Sequence, residues 1–190
     1  KSETRAMMCV RANSLIKGNS GIHLNVIKQI IDYLNHDVIP IVPRIGSLGA
    51  SGDLAPLSHM ALSLIGEGDV WTENEDMPTD TILKEKGLIP VKLGAKDGLS
   101  LINGTSQMCA FIAESQIALS NILPMADLIS CVTIDARECS IKPMDKRVHE
   151  VRPHSGQKLV AKRITELLKG SEILQYHSDC SKVQDAYSFR

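Results

Sequence analysis

The stretch from Gly104 to Ser140 constrains the fold more strongly than any other part of this sequence. Apolar residues occupy most of its helical faces, and the helical pattern is interrupted only at Pro124. Proline is tolerated in the first turn of a helix and bends a helix elsewhere, so we expect either two consecutive helices or one kinked helix. A helix that is apolar on most faces is typical of the interior of a helical bundle.

Shorter helical patterns account for most of the remaining chain. Apolar residues recur at helical spacing in five further segments, whereas strand-like patterns are confined to short pieces. The sequence therefore predicts an all-α fold, a bundle of long helices with a minor mixed loop region, in a single region that covers residues 1–190. The predicted helices are 4–17, 23–34, 54–65, 79–86 and 156–169, and the predicted extended pieces are 38–42, the surroundings of Val70, and 91–93.

Composition and charge exclude several classes of protein. The 21 basic and 22 acidic residues leave a net charge of -1, and only 3% of the residues are aromatic. Such a chain lacks the positive charge and the stacking side chains that nucleic-acid binders use. Five scattered cysteines without a CxxC pair argue against a disulfide framework and a zinc site. No leader pattern opens the chain and no apolar run is long enough to span a bilayer, so we expect a cytoplasmic protein with no membrane or nucleic-acid partner.

Three familiar catalytic motifs do not fit the sequence. His149 and His154 are five residues apart with Pro153 between them, so they cannot share one helical face as a pair of zinc ligands would. Glycines between residues 46 and 52 recur every three residues, which matches neither the dinucleotide fingerprint nor the P-loop. Ser51 lacks the GxSxG setting of a hydrolase nucleophile. We therefore expect no metal site.

The tripeptide Ala50-Ser51-Gly52 is unusual because three small residues directly precede a predicted helix that Asp53 is suited to cap. One interpretation is a loop that another backbone approaches closely, where side chains would not fit. A second interpretation is chemical. If the Gly52 nitrogen reached the Ala50 carbonyl carbon, the peptide could close into a five-membered ring, and loss of the Ser51 hydroxyl would leave a methylidene electrophile. The sequence alone is compatible with both.

The chain resembles the aromatic amino acid ammonia-lyases and aminomutases. The central similarity is GASGDLAPLSH at residues 49–59, which looks like the family's signature around its self-made prosthetic group. Further similar segments follow in the expected order along nearly the whole chain. They are RANSL at 11–15, GNSG at 18–21, LINGT at 101–105, RPHSGQ at 152–157 and VQDAYSFR at 183–190.

The resemblance implies an all-α lyase fold and a specific chemistry. Ala50, Ser51 and Gly52 would form 4-methylidene-imidazol-5-one without an external cofactor. In the usual account the amino group of an aromatic amino acid adds to this electrophile, and in an alternative account the substrate's ring adds instead. A base then removes a β-proton, and elimination gives an α,β-unsaturated acid and ammonia.

The resemblance also implies roles for individual residues. Arg190 matches the arginine that binds the substrate carboxylate, for which a planar guanidinium is well suited. Asn103 matches an asparagine that contacts substrate and ring, and Gln184 and Tyr187 match a polar pair at the site. Asp53 matches a residue that assists ring formation, although a simple helix cap explains it equally well. His59 and His154 match structural positions of the family.

The segments at 152–157 and 183–187 favour the histidine-specific members, which convert L-histidine to urocanate, whereas NGTS at 103–106 is shared with some phenylalanine and tyrosine enzymes. A phenylalanine or tyrosine ammonia-lyase, an aminomutase, and a non-catalytic helical fragment stay open as alternatives. The family's tyrosine base matches none of the tyrosines here. Because family members are homotetramers with sites built from several subunits, we expect an internal portion of a longer enzyme that is inactive alone.

Overall fold

The structure is a computed structural model that describes residues 1–73, 75–181 and 184–189. The chain divides into two compact units, Lys1–Gln116 and Ile117–Arg190, which are described separately below. Helices dominate both units, and the strands are two or three residues long. The prediction of an all-α fold is therefore confirmed.

The first unit is built from six helices or helix portions and a small sheet among its described residues. Its three strands pair antiparallel in the order β1-β2-β3, with Ile39 opposite Trp71 and Val70 opposite Met77. The elements are α1 (Ser2–Leu15), α2 (Leu24–Asn35), β1 (Ile39–Pro40), α3 (Leu54–Leu64), β2 (Asp69–Trp71), β3 (Asp76–Pro78), α4 (Thr79–Glu85), α5 (Asp97–Ile102) and the first part of α6 (Ser106–Ala136).

The core of the first unit lies between α1, α2, α3 and the sheet. Its fully buried side chains include Met8, Ile30, Tyr33, Met60 and Leu101. The hydroxyl of Tyr33 donates to the carbonyl oxygen of Ser63, which satisfies the one polar atom of this large buried ring. Burial raises the pKa of Tyr33 well above its ordinary value.

Three details of the first unit differ from the prediction. Residues 91–93 do not form a strand, because the backbone N–H of Val91 bonds to the carbonyl of Leu64 at the end of α3 instead of to a neighbouring strand. The third strand is Asp76–Pro78, which carries no apolar alternation. The short helix α5 was not predicted either, since its six residues are too few to show a helical period.

Helix α6 runs for 31 residues with Pro124 inside it, so the structure has a single helix here and the alternative of two consecutive helices is wrong. The sequence predicts that α6 lies in the interior of a bundle, but many of its apolar side chains are exposed in this structure. Ile112, Ile117, Ile129 and Val132 expose between 62% and 68% of their surface. By length and composition alone, the segment Asp97–Ala136 could cross a membrane. These two properties do not distinguish a spanning helix from a long apolar helix packed in a bundle.

The second unit packs the later part of α6 against shorter helices. Its core contains Cys131, Ile134, Cys139, Ile164 and Leu168. Asp127 on α6 forms an ion pair with Arg163, and Asp135 accepts a hydrogen bond from Ser171 at 2.8 Å. The remaining elements are a 3-10 turn at Lys142–Met144, α7 (Lys146–Glu150), α8 (Ser155–Leu167), α9 (Glu172–Tyr176) and a 3-10 turn at Tyr187–Phe189.

Candidate active site around residues 46–53

The segment 46–53 leads into α3 through a backbone that only glycine adopts easily. Gly49 has a φ of 69° and Gly52 a φ of 135°, both in the region that side chains disfavour. The chain bends at Ala50 and Ser51, and both residues are exposed, whereas Gly52 and Asp53 are buried. The Ser51 hydroxyl is thus presented at the surface of this unit on a bent tripeptide whose C-terminal end is fixed in the interior.

Gly52 packs directly against the backbone of Gly104. A Cβ atom placed on Gly52 would lie 2.6 Å from the carbonyl oxygen of Gly104 and 3.1 Å from its nitrogen. This contact confirms that a backbone approaches the tripeptide closely, which was one of the two interpretations of its small residues. The same lack of a Cβ atom is what ring closure at Gly52 would need, so the contact leaves the chemical interpretation open.

Asp53 is fully buried, and its carboxylate accepts hydrogen bonds from the start of α6 instead of from α3, the helix that follows it. One oxygen accepts from the backbone nitrogens of Gln107 at 2.8 Å and Met108 at 3.0 Å, in the first turn of α6. Asp53 is the N-cap residue of α3, as predicted, but its side chain makes no capping hydrogen bond to that helix. Only the Asp53 carbonyl participates there, accepting from Leu57. A carboxylate at the N-terminus of α6 is also favoured by the helix dipole.

The other carboxylate oxygen of Asp53 accepts from the hydroxyl of Ser47 at 2.7 Å. The Ser47 oxygen in turn accepts from the backbone nitrogen of Gly49 at 3.2 Å. Asp53 therefore holds both the loop that contains the tripeptide and the start of α6. Its backbone nitrogen adds a third connection by donating to the carbonyl of Gly104 at 2.7 Å.

Asn103 lies next to this contact and is exposed. Its backbone nitrogen donates to Leu99, and its carbonyl oxygen accepts from Arg11 at 3.0 Å. The structure thus brings Gly52, Asp53 and Asn103 together around Gly104. His59, on α3, is exposed.

The other predicted site residues belong to the second unit. Gln184 and Tyr187 are both exposed, and Tyr187 begins the 3-10 turn at Tyr187–Phe189. Arg190 lies outside the described residues, so its predicted role in carboxylate binding stays a prediction. His154 is exposed at the N-terminal boundary of α8. Over 1–73, 75–181 and 184–189 there is no group of three or more side chains placed to hold a metal ion.

Sequence reasoning did not single out Arg11, Ser47 or Gly104. A usable signal existed for Arg11, because it lies four residues after Met7 and four before Leu15, both fully buried on the same face of α1. A cation in that row must find buried acceptors. Ser47 and Gly104 act through contacts between distant segments, which no local pattern reveals.

Comparison with known families now identifies the chain's relatives. The model of the aromatic amino acid lyase family matches residues 1–190. The chain belongs to this family. The histidine ammonia-lyase of Myxococcus xanthus strain DK1622 is 45% identical to it over 188 residues, which are 99% of this chain and 37% of that protein. The chain therefore spans little more than a third of the length of the curated relatives it matches.

Solved structures of the aromatic amino acid lyase family share the fold. The crystal structure of histidine ammonia-lyase from Trypanosoma cruzi superposes with a TM-score of 0.80 at 38% identity, over 87% of this chain and 32% of that one. The Pantoea agglomerans phenylalanine aminomutase superposes with a TM-score of 0.88 at 31% identity, over 99% of this chain and 39% of that one. Ammonia-lyases and aminomutases are thus built on the same scaffold as this chain.

Proposed function

We propose that this chain is the prosthetic-group-forming portion, residues 1–190, of an ammonia-lyase that converts L-histidine to urocanate and ammonia. The observation that carries the proposal is the bent tripeptide Ala50-Ser51-Gly52, with positive φ angles at Gly49 and Gly52, in a chain of the aromatic amino acid lyase family. Among the solved structures, the Trypanosoma cruzi histidine ammonia-lyase is 38% identical to the chain, the Streptomyces globisporus tyrosine aminomutase 35% and the Pantoea phenylalanine aminomutase 31%. This order and the 45% identity to the Myxococcus histidine ammonia-lyase support histidine as the substrate.

The residues present fit 4-methylidene-imidazol-5-one. Gly52 provides the position without a Cβ, pressed against Gly104, where a larger residue would overlap with backbone. Ala50 and Ser51 are exposed, so a group made from them would be accessible to a substrate. Gly49 and Asp53, on either side of the tripeptide, are tied together through the hydroxyl of Ser47. The tripeptide is therefore held at both ends while its centre is open.

The chain's own atoms balance for ring formation. The Gly52 nitrogen bonds to the Ala50 carbonyl carbon, whose oxygen leaves as one water with the amide hydrogens of Gly52 and Ser51, so that a double bond forms between this carbon and the Ser51 nitrogen. The Ser51 hydroxyl and the proton on its Cα leave as a second water, which creates the methylidene double bond. No oxidant or external cofactor is needed. Once formed, the group supplies an electrophile that makes ammonia a better leaving group from an aromatic amino acid.

The remaining site residues bind and orient the substrate in this proposal. Asn103 borders the tripeptide through Gly104 and contacts substrate and ring. Gln184 and Tyr187 contribute polar contacts, with Tyr187 hydrogen-bonding near the ring. Arg190 binds the carboxylate through its planar guanidinium. Fixing the substrate in this way supplies much of the rate in a reaction that removes a weakly acidic proton.

We propose that a longer parent protein assembles as a homotetramer in the cytoplasm and that the 190 residues alone are inactive. The chain spans 37% of the length of its Myxococcus relative, which leaves room there for further catalytic groups. The exposed apolar face of α6 supports association with other helices. No nucleic-acid or membrane partner is part of the proposal, in keeping with a net charge of -1.

Two other functions have support of their own. Elimination from phenylalanine or tyrosine, or a shift of the amino group by an aminomutase, is supported by the TM-score of 0.88 to the Pantoea phenylalanine aminomutase. A non-catalytic helical fragment that associates through its apolar helices is supported by the exposed face of α6.

A substrate assay of the parent protein separates these functions. Urocanate formation from L-histidine is expected, with no unsaturated acid from L-phenylalanine or L-tyrosine at equal concentration. Ser51→Ala is expected to abolish turnover, whereas Ser58→Ala, which only removes a hydroxyl bonded to Leu54 within α3, is expected to keep it. Preferred turnover of phenylalanine or tyrosine, or recovery of a β-amino acid, would support the second function, and no turnover of any of the three would support the third.

A further inference from the structure

Arg11 is a buried cation that contacts the segment bearing Asn103. It is only 4% exposed, and its Nη2 atom donates to the carbonyl oxygens of Ser100 and, at 3.0 Å, Asn103. Both acceptors lie at the C-terminal end of α5, where the last carbonyls of a helix lack partners within the helix. Two donors on one nitrogen therefore fix the last turn of α5 and the residue that follows it.

Packing alone gives no reason for a guanidinium at this position. Burial lowers the pKa of Arg11 from its ordinary value, and its Nε atom is buried without a hydrogen-bond partner among the described residues. An apolar side chain of similar length would fill the space without the cost of removing a cation from water. The feature that distinguishes arginine here is the geometry of its donors, which holds two carbonyls at set positions.

The guanidinium also sets the position of Gly104. A Cβ atom on Gly104 would overlap with Nη1 of Arg11, so the guanidinium lies in direct contact with the backbone of this glycine. The carbonyl of Gly104 also accepts from the Asp53 nitrogen at 2.7 Å and lies against Gly52. Gly104 therefore contacts both Arg11 and Gly52, which is part of the tripeptide.

We propose that Arg11 is a positioning residue for ring formation, holding Gly104 against Gly52 so that the tripeptide keeps its bend and Asn103 keeps its place beside it. This inference rests on the proposed function. It assigns Arg11 no contact with the substrate. Its effect passes through the backbone of Asn103 and Gly104.

The test compares Arg11→Met with Arg5→Met in the parent protein. Arg5 lies on the same helix, but its guanidinium pairs with Asp37 at the surface, 46% exposed. Two quantities are measured on folded, purified protein. The first is amide hydrogen exchange at Asp53, whose N–H donates to Gly104 and is kept when the ring forms, and in a peptide covering 103–108. The second is the fraction of tripeptide that has lost two waters, measured by mass spectrometry. If Arg11→Met does not fold, Arg11→Lys is used instead. This variant keeps the positive charge but lacks the planar guanidinium.

The proposal predicts that Arg11→Met speeds exchange at the Asp53 amide and in 103–108 by about tenfold, as expected when buried hydrogen bonds are lost. The fraction that has lost two waters falls by at least tenfold, while α2 exchanges as in the wild type and Arg5→Met changes neither quantity. For Arg11→Lys we expect changes in the same direction of at least threefold.

Unchanged exchange at the Asp53 amide, or a wild-type fraction of processed tripeptide in a folded Arg11 variant, would overturn the proposal, since a purely structural arginine would give that result. A wild-type protein that retains both waters would refute the proposed function instead. The exchange data would still decide whether Arg11 holds the segment.

Discussion

Replacement of Asp53 by alanine tests the connection that this carboxylate makes between the loop at 46–53 and the start of α6. The change removes the acceptor of the Gln107 and Met108 amides at the start of α6 and the acceptor of the Ser47 hydroxyl. Asp53 is fully buried and Gln107 is 6% exposed, so water cannot easily replace the lost bonds. The loss is therefore larger than that of an ordinary surface helix cap.

The expected magnitude follows from these contacts. A hydrogen bond to a charged acceptor contributes about 1.5–3 kcal/mol, and leaving a buried donor unsatisfied costs about 1–3 kcal/mol. Because these contributions are not additive in one cluster, we expect Asp53→Ala to lower the free energy of unfolding by about 3–4 kcal/mol. Asp53→Asn keeps one acceptor oxygen and the same shape, and we expect a loss of about 1–2 kcal/mol.

Urea unfolding followed by tryptophan fluorescence measures this effect. Trp71 is the single tryptophan of the chain and lies on β2 in the unit that contains Asp53, so its signal reports on that unit. With a slope of about 2 kcal/mol per molar urea, the midpoint of Asp53→Ala should fall by about 1.5–2 M. Asp80→Ala, which removes an exposed carboxylate paired with Lys84, serves as the control and should leave the midpoint unchanged. A loss below about 1 kcal/mol for Asp53→Ala would refute the proposed connection between α6 and the loop.

Two further predictions concern neighbouring residues. Gly52→Ala places a Cβ atom 2.6 Å from the Gly104 carbonyl at a φ of 135°, so it should lower the free energy of unfolding by about 2–4 kcal/mol in urea titrations. Gly98→Ala, which meets no atom within 4 Å, should cost nothing, and equal losses in both variants would contradict the contact. Burial opposes ionisation of Asp97, but backbone amides of His23 and Gly94 and the His23 ring outweigh it and lower the pKa of Asp97 below its ordinary 3.8. Because its pKa is lower in the folded than in the unfolded protein, the ionised Asp97 stabilises the fold at pH values above its ordinary pKa, and this stabilisation is lost as the pH falls through its folded-state pKa. The decrease in the free energy of unfolding on acidification below about pH 4 should therefore be smaller in Asp97→Asn than in the wild type. The same decrease in the free energy of unfolding below about pH 4 in both proteins would contradict this.

The parts of the fold that could be predicted from sequence are those with a strong local period. Helix α6 shows this most clearly, since 31 residues of apolar pattern outweigh one internal proline. Residues 91–93 show the opposite case, because three apolar-polar positions are compatible with a strand but their backbone bonds to a helix end. The expected burial of α6 fails within the chain, since its own neighbours cover only one of the apolar faces.

The candidate site could be predicted only as far as its motif extends. Ala50, Ser51 and Gly52 stand out by composition, and the resemblance led to Asp53 and Asn103 as their companions. The direction of the Asp53 side chain could not be predicted, because its acceptor role is fixed by Gln107 and Met108, more than fifty residues away. The position of Arg11 on the buried face of α1 gave a signal, but its carbonyl partners could not be predicted, since they lie about ninety residues along the chain.

The central claim is that Ala50-Ser51-Gly52 closes into a ring, and the most direct test is the mass of the peptide that contains it. We expect this peptide from the parent protein to have lost two waters, and the same peptide from Ser51→Ala to lack the methylidene group. Ser58→Ala should be processed like the wild type. A wild-type peptide at its full, unmodified mass in a folded, homogeneous protein would contradict the claim.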